Sequence, residues 1–463
     1  MPSKAFPIGA PLARLAAGLN AGAITSRDLV ERALERIAAD GGDGGHAFCS
    51  VDAEGARRQA QAQDALRRAG VRLSPLAGLP ISVKDLFDLA GQATRAGARS
   101  LCDAPAATRD APTIASLRRA GAVFIGRTNM SEFAYSGLGL NPWHGTPRSP
   151  WMPGSPRVAG GSSSGAAASV AQGMATAGLG SDTGGSLRIP AAFCGLTGFK
   201  PTQRRISTQG MFPLSPTLDS AGAIAPTVAC CALVDRLLAN GCVGDDVFAL
   251  AGYAAEGLRL AVLDNYVTEQ LDPTVSQTWE AAIAALSRAG ARLTRVRLPL
   301  LEELSSLGPY TLSSMEAYAV HRARLDTHSA QYDRRVLVRI LSGEAARAAD
   351  YIDFLKARAD AIARAGAALG DYDAYLMPTV PIVPPEIHAL EADDAHFAEV
   401  NALVLRNPSI VNLLDGCAVS IPCMPPGAPP VGLTVAGLSL ADDHVLRVAA
   451  GIEQVLVRTR GIA

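Results

Sequence analysis

Lysine is scarce in this sequence. The 463 residues include 42 Lys and Arg, yet only Lys4, Lys84, Lys200 and Lys356 are lysines. Acidic residues number 43, so the net charge is −1 and no basic excess marks a nucleic-acid footprint. Long apolar runs are missing too. The nearest, the small-residue stretch Gly165 to Gly180, is rich in Ala and Gly and too short to span a membrane as a helix. No apolar core precedes Arg14, so no secretory signal is expected. None of the eight cysteines (Cys49, Cys102, Cys194, Cys230, Cys231, Cys242, Cys417 and Cys423) forms a C-x-x-C pair. His46 and Cys49 lie close together, but no second Cys/His pair completes a zinc site. Reduced, mostly buried thiols are expected, and with them a soluble protein of a reducing cytoplasm that binds neither membrane nor nucleic acid.

Apolar content is what the chain does have. Hydrophobic residues make up 48% and charged residues 18%, enough to fill a large core. Length alone suggests about three domains, but no linker separates them and no internal repeat is present. Thr25, Ser26, Arg27 and Asp28 read as a helix start with Asp28 reaching back to Thr25, followed by an apolar face of Leu29, Val30, Ala33, Leu34 and Ile37. A second helix is expected over Glu54 to Ala69. Leu79 to Val83 reads as a strand that ends at Lys84, Thr113 to Ala120 as a helix and Ala122 to Ile125 as the next strand, an order that implies a parallel pair with a crossover. Pro142 to Pro156 is loop. Ala166 to Ala171 opens a buried helix. Leu258–Leu263 and Arg292–Leu298 read as strands around a helix over Val275 to Ala289. Asp350 to Ala367 and Asp442 to Val457 read as amphipathic helices, and Ala418–Ile421 and Val431–Val435 as two strands joined by a Gly/Pro-rich turn. The alternation gives an α/β class.

Two short segments stand out chemically. In Gly180-Ser-Asp-Thr-Gly-Gly-Ser-Leu-Arg-Ile-Pro190, two glycines before Ser186 permit a turn that gathers the N–H groups of Thr183, Gly184, Gly185 and Ser186 into an anion-binding concavity. The competing reading is a plain loop before a helix. Gly161-Ser-Ser-Ser-Gly165 fits G-x-S-x-G with Ser163 at its centre, or else is a flexible turn. An elbow at Ser163 needs a downstream histidine, and His321, His328, His388, His396 and His444 all lack a recognisable context. Lysine usage is more telling. Arginine does not lose its proton in proteins, whereas a buried lysine can. Lys4 lies in a tail and Lys356 on a charged helix. Lys200 precedes Pro201, which favours an extended, structural position. Lys84 at a strand end is the candidate base, with an ion pair to Asp85 or Asp88 as the structural alternative.

Lys84, Gly160-Gly-Ser-Ser-Ser-Gly165, Asp182-Thr-Gly-Gly-Ser-Leu-Arg-Ile-Pro190 and Gly195-Leu-Thr-Gly-Phe-Lys-Pro-Thr202, in this order and spacing, resemble the amidase signature family. Ile24-Thr25-Ser26, Gly126 to Glu132 and Pro422 to Leu438 extend the resemblance over nearly the whole chain, with about 250 to 400 the weakest part. It implies a central mixed, twisted β-sheet covered by helices on both faces, in a single domain over 1–463: an N-terminal helical segment 1–65, a signature core 66–245, and a C-terminal lobe 246–463 that completes sheet and pocket. It implies a Ser–cisSer–Lys triad in which Ser186 is the nucleophile, Ser162 the proton relay and Lys84 the base, with a cis bond between Gly161 and Ser162. The oxyanion hole falls on the backbone of Thr183, Gly184, Gly185 and Ser186. Ser163 is placed to orient Lys84. Asp182 and Arg188 brace the loop, with a substrate carboxylate as the other assignment for Arg188. Substrate contacts are expected from Ala134, Tyr135 and Ser136 and from the region 300–400, where Tyr310, Tyr318 and Tyr332 are read as helical or core residues. The implied activity is hydrolysis of a linear carboxamide through an acyl-enzyme, with no metal or cofactor and with a homodimer as the family-level expectation. The rival is the glutaminase (A) subunit of a tRNA-dependent amidotransferase. A non-catalytic binding member of the family, which should lack one of the three residues, and an α/β-hydrolase built on Ser163 are more distant.

Overall fold

The computed structural model describes residues 6–39, 41–241, 250–304, 307–308 and 310–459. Lys4 and Cys242 lie outside the described residues. Among these residues eleven strands form one sheet: β1 (Phe48–Val51), β2 (Pro80–Lys84), β3 (Val123–Thr128), β4 (Ala177–Asp182), β5 (Thr197–Lys200), β6 (Ser220–Ala225), β7 (Arg259–Leu263), β8 (Arg292–Val296), β9 (Ala374–Pro378), β10 (Cys417–Pro422) and β11 (Gly432–Gly437). Their spatial order is β1-β3-β2-β4-β6-β5-β10-β11-β9-β7-β8. β2 pairs in parallel with β3 and β4, and β7 with β8 and β9. The remaining pairs are antiparallel, so the sheet is mixed, as expected.

Successive strand residues point to opposite faces, so a strand buried at every position is covered on both. β2, β4, β5, β6, β9, β10 and β11 all meet that description, whereas the edge strands β1 and β8 are largely open. Helices supply the cover. The helices Val228–Asn240 and Asp442–Thr459 pack on β5, β6, β10 and β11, and Ser164–Ala171 packs on β4. The Thr25 start is realised as read: Thr25 Oγ1 accepts from the Asp28 N–H at 3.0 Å and Asp28 Oδ2 from the Thr25 N–H at 3.0 Å, opening the helix Ser26–Ala38.

The central strands β4 (Ala-Gly-Leu-Gly-Ser-Asp) and β6 (Ser-Ala-Gly-Ala-Ile-Ala) carry few β-branched residues and are not legible as strands from propensity. Small residues are needed there for packing. A Cβ on Gly180 would come within 2.8 Å of Leu187 Cδ2 and Ser163 Oγ. Below β5, a cluster that includes Leu138, Val158, Ile189, Phe193, Phe397 and Val404 fixes the short helix Arg188–Cys194, which follows the Gly-Gly-Ser turn.

Candidate active site

β2 lies between β3 and β4, so its last residue, Lys84, enters the interior and is fully buried. Among the described residues, no carboxylate lies within ion-pair distance of its ammonium. Lys84 Nζ donates to Ser162 Oγ at 2.7 Å and to Ser181 Oγ at 2.8 Å. Asp85, the structural alternative, is instead held by Arg127, at 2.6 Å. Burial lowers the Lys84 pKa from 10.5 to about 7, against the opposing pull of the Asp182 and Asp219 charges. A neutral amine is therefore accessible near neutral pH, and in that state the Ser162 hydroxyl donates to the nitrogen.

Ser162 sits at the start of the helix Ser164–Ala171. The Gly161–Ser162 peptide bond is cis. Only glycine fits at 161, because a Cβ would lie 2.5 Å from the Gly139 nitrogen. Ser163 does not touch Lys84. Its hydroxyl donates to the Ser181 carbonyl at 3.2 Å and accepts the Ser181 N–H at 3.4 Å, so any influence on Lys84 passes through Ser181. Sequence does not single out Ser181. Its signal is strand alternation in β4, invisible while β4 is unrecognised.

The loop from Asp182 to Arg188 carries Ser186. Asp182 and Arg188 are both completely buried and form a two-point pair, Nε to Oδ2 at 3.0 Å and Nη2 to Oδ1 at 2.9 Å. Burial raises the Asp182 pKa, but the Arg188 guanidinium outweighs it and holds the carboxyl well below the usual range. Arg188 also donates to the Pro408 carbonyl at 2.9 Å and to Asn412 Oδ1 at 2.6 Å. All three of its nitrogens are committed inside the protein. In this arrangement no nitrogen of Arg188 is left over for a substrate carboxylate.

Gly185 has φ 128°, and a Cβ there would lie 2.6 Å from Pro408 Cγ. Of the four expected oxyanion donors, the Gly185 N–H already donates to Asp182 Oδ1 at 2.8 Å and is occupied in shaping the loop. Thr183, Gly184 and Ser186 border a cavity of about 240 Å³, together with Ala134, Tyr135 and Ser136. Tyr310 lines it too, whereas Tyr332 packs in the core and Tyr318 donates to Glu344. The Ser186 hydroxyl makes no hydrogen bond among the described residues. No bond joins it to Ser162 Oγ; the two segments are tied by the Ser163 N–H, which donates to the Ser186 carbonyl at 3.3 Å. Beside the loop, burial raises Asp219 to about 6, while Thr183 Oγ1 donates to it at 2.6 Å.

The second lysine weighed as a base, Lys200, is spent on two carbonyls, Pro201 at 2.7 Å and Gly416 at 2.8 Å, which makes it structural. A larger groove, about 470 Å³, opens over β1 and β3 and includes none of Lys84, Ser162 or Ser186. No described group of three or more His, Cys, Asp or Glu is arranged to hold a metal ion, and no described helix is long and apolar enough to cross a membrane.

The family model described as Amidase matches residues 28–446. A 2-amino-5-chloromuconic acid deaminase from Comamonas testosteroni is 36% identical over 424 residues, which cover 89% of this chain and 88% of the relative. The A subunit of a glutamyl-tRNA(Gln) amidotransferase from Chromohalobacter salexigens is 34% identical over 477 residues, covering 96% of each. Among solved structures, the peptide amidase from Stenotrophomonas maltophilia superposes with a TM-score of 0.79 at 28% identity over 97% of both chains.

Proposed function

Because the chain belongs to the amidase family, whose members hydrolyse C–N bonds, we propose that it cleaves a linear carboxamide through an acyl-enzyme on Ser186, with Ser162 relaying protons to Lys84. The observation that carries this reading is the 2.7 Å contact between Ser162 and a fully buried lysine whose pKa is about 7. Neutral Lys84 takes the Ser162 proton, and Ser162 takes that of Ser186. This second transfer requires the Ser186 hydroxyl, a free rotor, to turn towards Ser162, as catalytic contacts commonly tighten only with substrate bound. Ser186 Oγ attacks the amide carbon, and the N–H groups of Thr183, Gly184 and Ser186 receive the oxyanion. The proton returns through Ser162 to the nitrogen as the C–N bond breaks. That step releases ammonia or the amine; water then attacks the ester, giving up its proton by the same route, and frees the carboxylate and Ser186.

Labelling with a fluorophosphonate, followed by peptide mapping, tests the assignment. The label is expected on Ser186. A label on Ser163 would overturn it.

The similarity of 96% of the chain to the amidotransferase relative supports a second reading, in which the released ammonia passes to a partner protein. Glutamine hydrolysis that appears only with a co-purifying second chain would favour it; release of ammonia from simple amides by the purified chain alone would exclude it. A homodimer stays the expected assembly of the stand-alone enzyme, to be read by sedimentation.

A further inference from the structure

Asp219 immediately precedes β6, whose first residue, Ser220, pairs with Asp182 at the end of β4. That register sets Asp219 beside the loop that carries Ser186. Its carboxylate is buried and accepts three hydrogen bonds. Thr183 Oγ1 donates to Oδ1 at 2.6 Å, and the Leu214 and Ser215 N–H groups donate to Oδ2 at 3.0 and 3.1 Å. None of these donors is charged. Thr183, Leu214 and Leu218 all border the cavity beside Ser186, so Asp219 joins an oxyanion donor to a wall of that cavity. A second buried carboxylate clamps the same segment. Glu316, on the helix Leu312–His328, accepts from Ser215 Oγ at 2.5 Å, from the Thr217 N–H at 3.1 Å and from the Tyr351 hydroxyl at 2.8 Å.

Two carboxylate charges bear on Lys84, those of Asp182 and Asp219. They are not equivalent. Asp182 is matched at both oxygens by the Arg188 guanidinium, and Lys200 acts on it as well. A matched pair exerts little net field on a third group, because its two charges act in opposite directions. Asp219 has no such match, and its charged neighbour Glu316 has the same sign. Burial raises Asp219 to about 6, with the three donors opposing the rise, so it is ionised over the range in which Lys84 titrates. An ammonium enclosed by protein is costly without an opposite charge. Asp219 is the group left to balance it.

We propose that Asp219 is a positioning residue for the hydrolysis: its carboxylate holds the oxyanion donor Thr183 in register with the wall segment 214–218, and its charge is the counter-ion of protonated Lys84. The proposal rests on Ser186 as the attacking group and Lys84 as the base. The tether matters because the Thr183 N–H must already point at an oxyanion that exists only in the transition state. The charge matters because it keeps the proton on Lys84 to a higher pH than burial alone allows, and so makes the released amine a stronger base. Asparagine separates the two duties. Its carbonyl oxygen still accepts from Leu214 and Ser215, and its amide donates to Thr183 Oγ1, since a hydroxyl accepts as well as donates. Asp219→Asn thus keeps the tether and removes the charge, whereas Thr183→Val removes the tether and keeps the charge.

The test follows the second-order rate of fluorophosphonate labelling of Ser186 in the purified full-length chain, from about pH 5 to about pH 9. In the wild type the rate is expected to climb to a plateau with a midpoint of about 7. Asp219→Asn should move the midpoint down by about half a pH unit or more and leave the plateau within about fivefold. Glu316→Gln neutralises the other carboxylate of the segment, whose charge does not weigh on Lys84, and should leave the midpoint in place. Thr183→Val should lower the plateau by about tenfold or more. Thr183→Ser, which retains the hydroxyl, should not. An unmoved midpoint in Asp219→Asn, an equal shift in Glu316→Gln, or equal plateaus in Thr183→Val and Thr183→Ser would overturn the proposal. The Thr183 pair decides even where Asp219→Asn does not fold. A wild-type rate that is flat with pH, or no label on Ser186, would instead overturn the reading on which it rests.

Discussion

Asp182 and Arg188 meet at 2.9 Å with neither side chain reaching solvent, and this buried pair, rather than a regular element, gives the Ser186 loop its shape. The Asp182 carboxylate also accepts the N–H groups of Gly185 and Leu187. Asp182→Asn removes the charge and leaves the guanidinium unmatched. Breaking a buried pair on one side costs about 3–5 kcal/mol, so urea denaturation should show a lower midpoint with an unchanged slope. Labelling of Ser186 should slow as well, because the loop loses its brace.

Gly185→Ala tests the same loop without touching charge. The new methyl would meet Pro408 Cγ at 2.6 Å in a backbone conformation hostile to alanine. Relief requires the loop to move, and a displacement near 1 Å at a reacting group costs about 100-fold in rate. The expected result is a loss of that order in kcat with the far-ultraviolet circular dichroism spectrum preserved.

The lysine predicts the pH profile. Below about pH 7 Lys84 is an ammonium and cannot accept a proton, so kcat/KM should rise with pH through an apparent pKa near 7 and then level. A rate unchanged from about pH 5 to about pH 9 would contradict a lysine base.

Stability should follow the same group in a separate window. At pH values below 7 folded and unfolded chains both hold the proton, and the folded state bears the full cost of a buried charge. Between about 7 and 10.5 the unfolded chain still holds a proton that the folded chain has released, so stability rises with pH across that range. Lys84→Met should remove this rise in thermal melts taken at several pH values.

Single replacements at two of the proposed residues, Ser186 and Lys84, should rank. Ser186→Ala is expected to abolish labelling and turnover. Lys84→Ala should lower acylation by about 1,000-fold or more, since the base and the nucleophile act as a unit. Normal turnover in Ser186→Ala would end the assignment.

The sequence made some of this visible for identifiable reasons. Thr25 and Asp28 announce their helix because a capping box is a local device, and Lys84 stands out because lysine is rare here and follows an apolar run. β4 and β6 escaped because their composition answers to close packing around Gly180 and Gly222 rather than to strand propensity. Ser181 was hidden with β4. Arg188 kept two assignments open because its partners Pro408 and Asn412 lie more than two hundred residues away. Gly185 reads in the sequence as a free N–H donor because loop sequence does not reveal which N–H groups a neighbouring carboxylate claims, here that of Asp182.

The strand order has a consequence for synthesis on the ribosome. β1 to β6 are complete by residue 225, but the open side of β5 waits for β10, whose residues emerge near the end of the chain. Until then an unpaired strand edge is presented to other nascent chains, the usual hazard for aggregation. Lys200 lacks the Gly416 carbonyl, and Arg188 lacks Pro408 and Asn412, over the same interval. A ribosome-stalled chain halted at residue 400 should therefore be protease-sensitive and unreactive towards fluorophosphonate, and one released at full length should be neither.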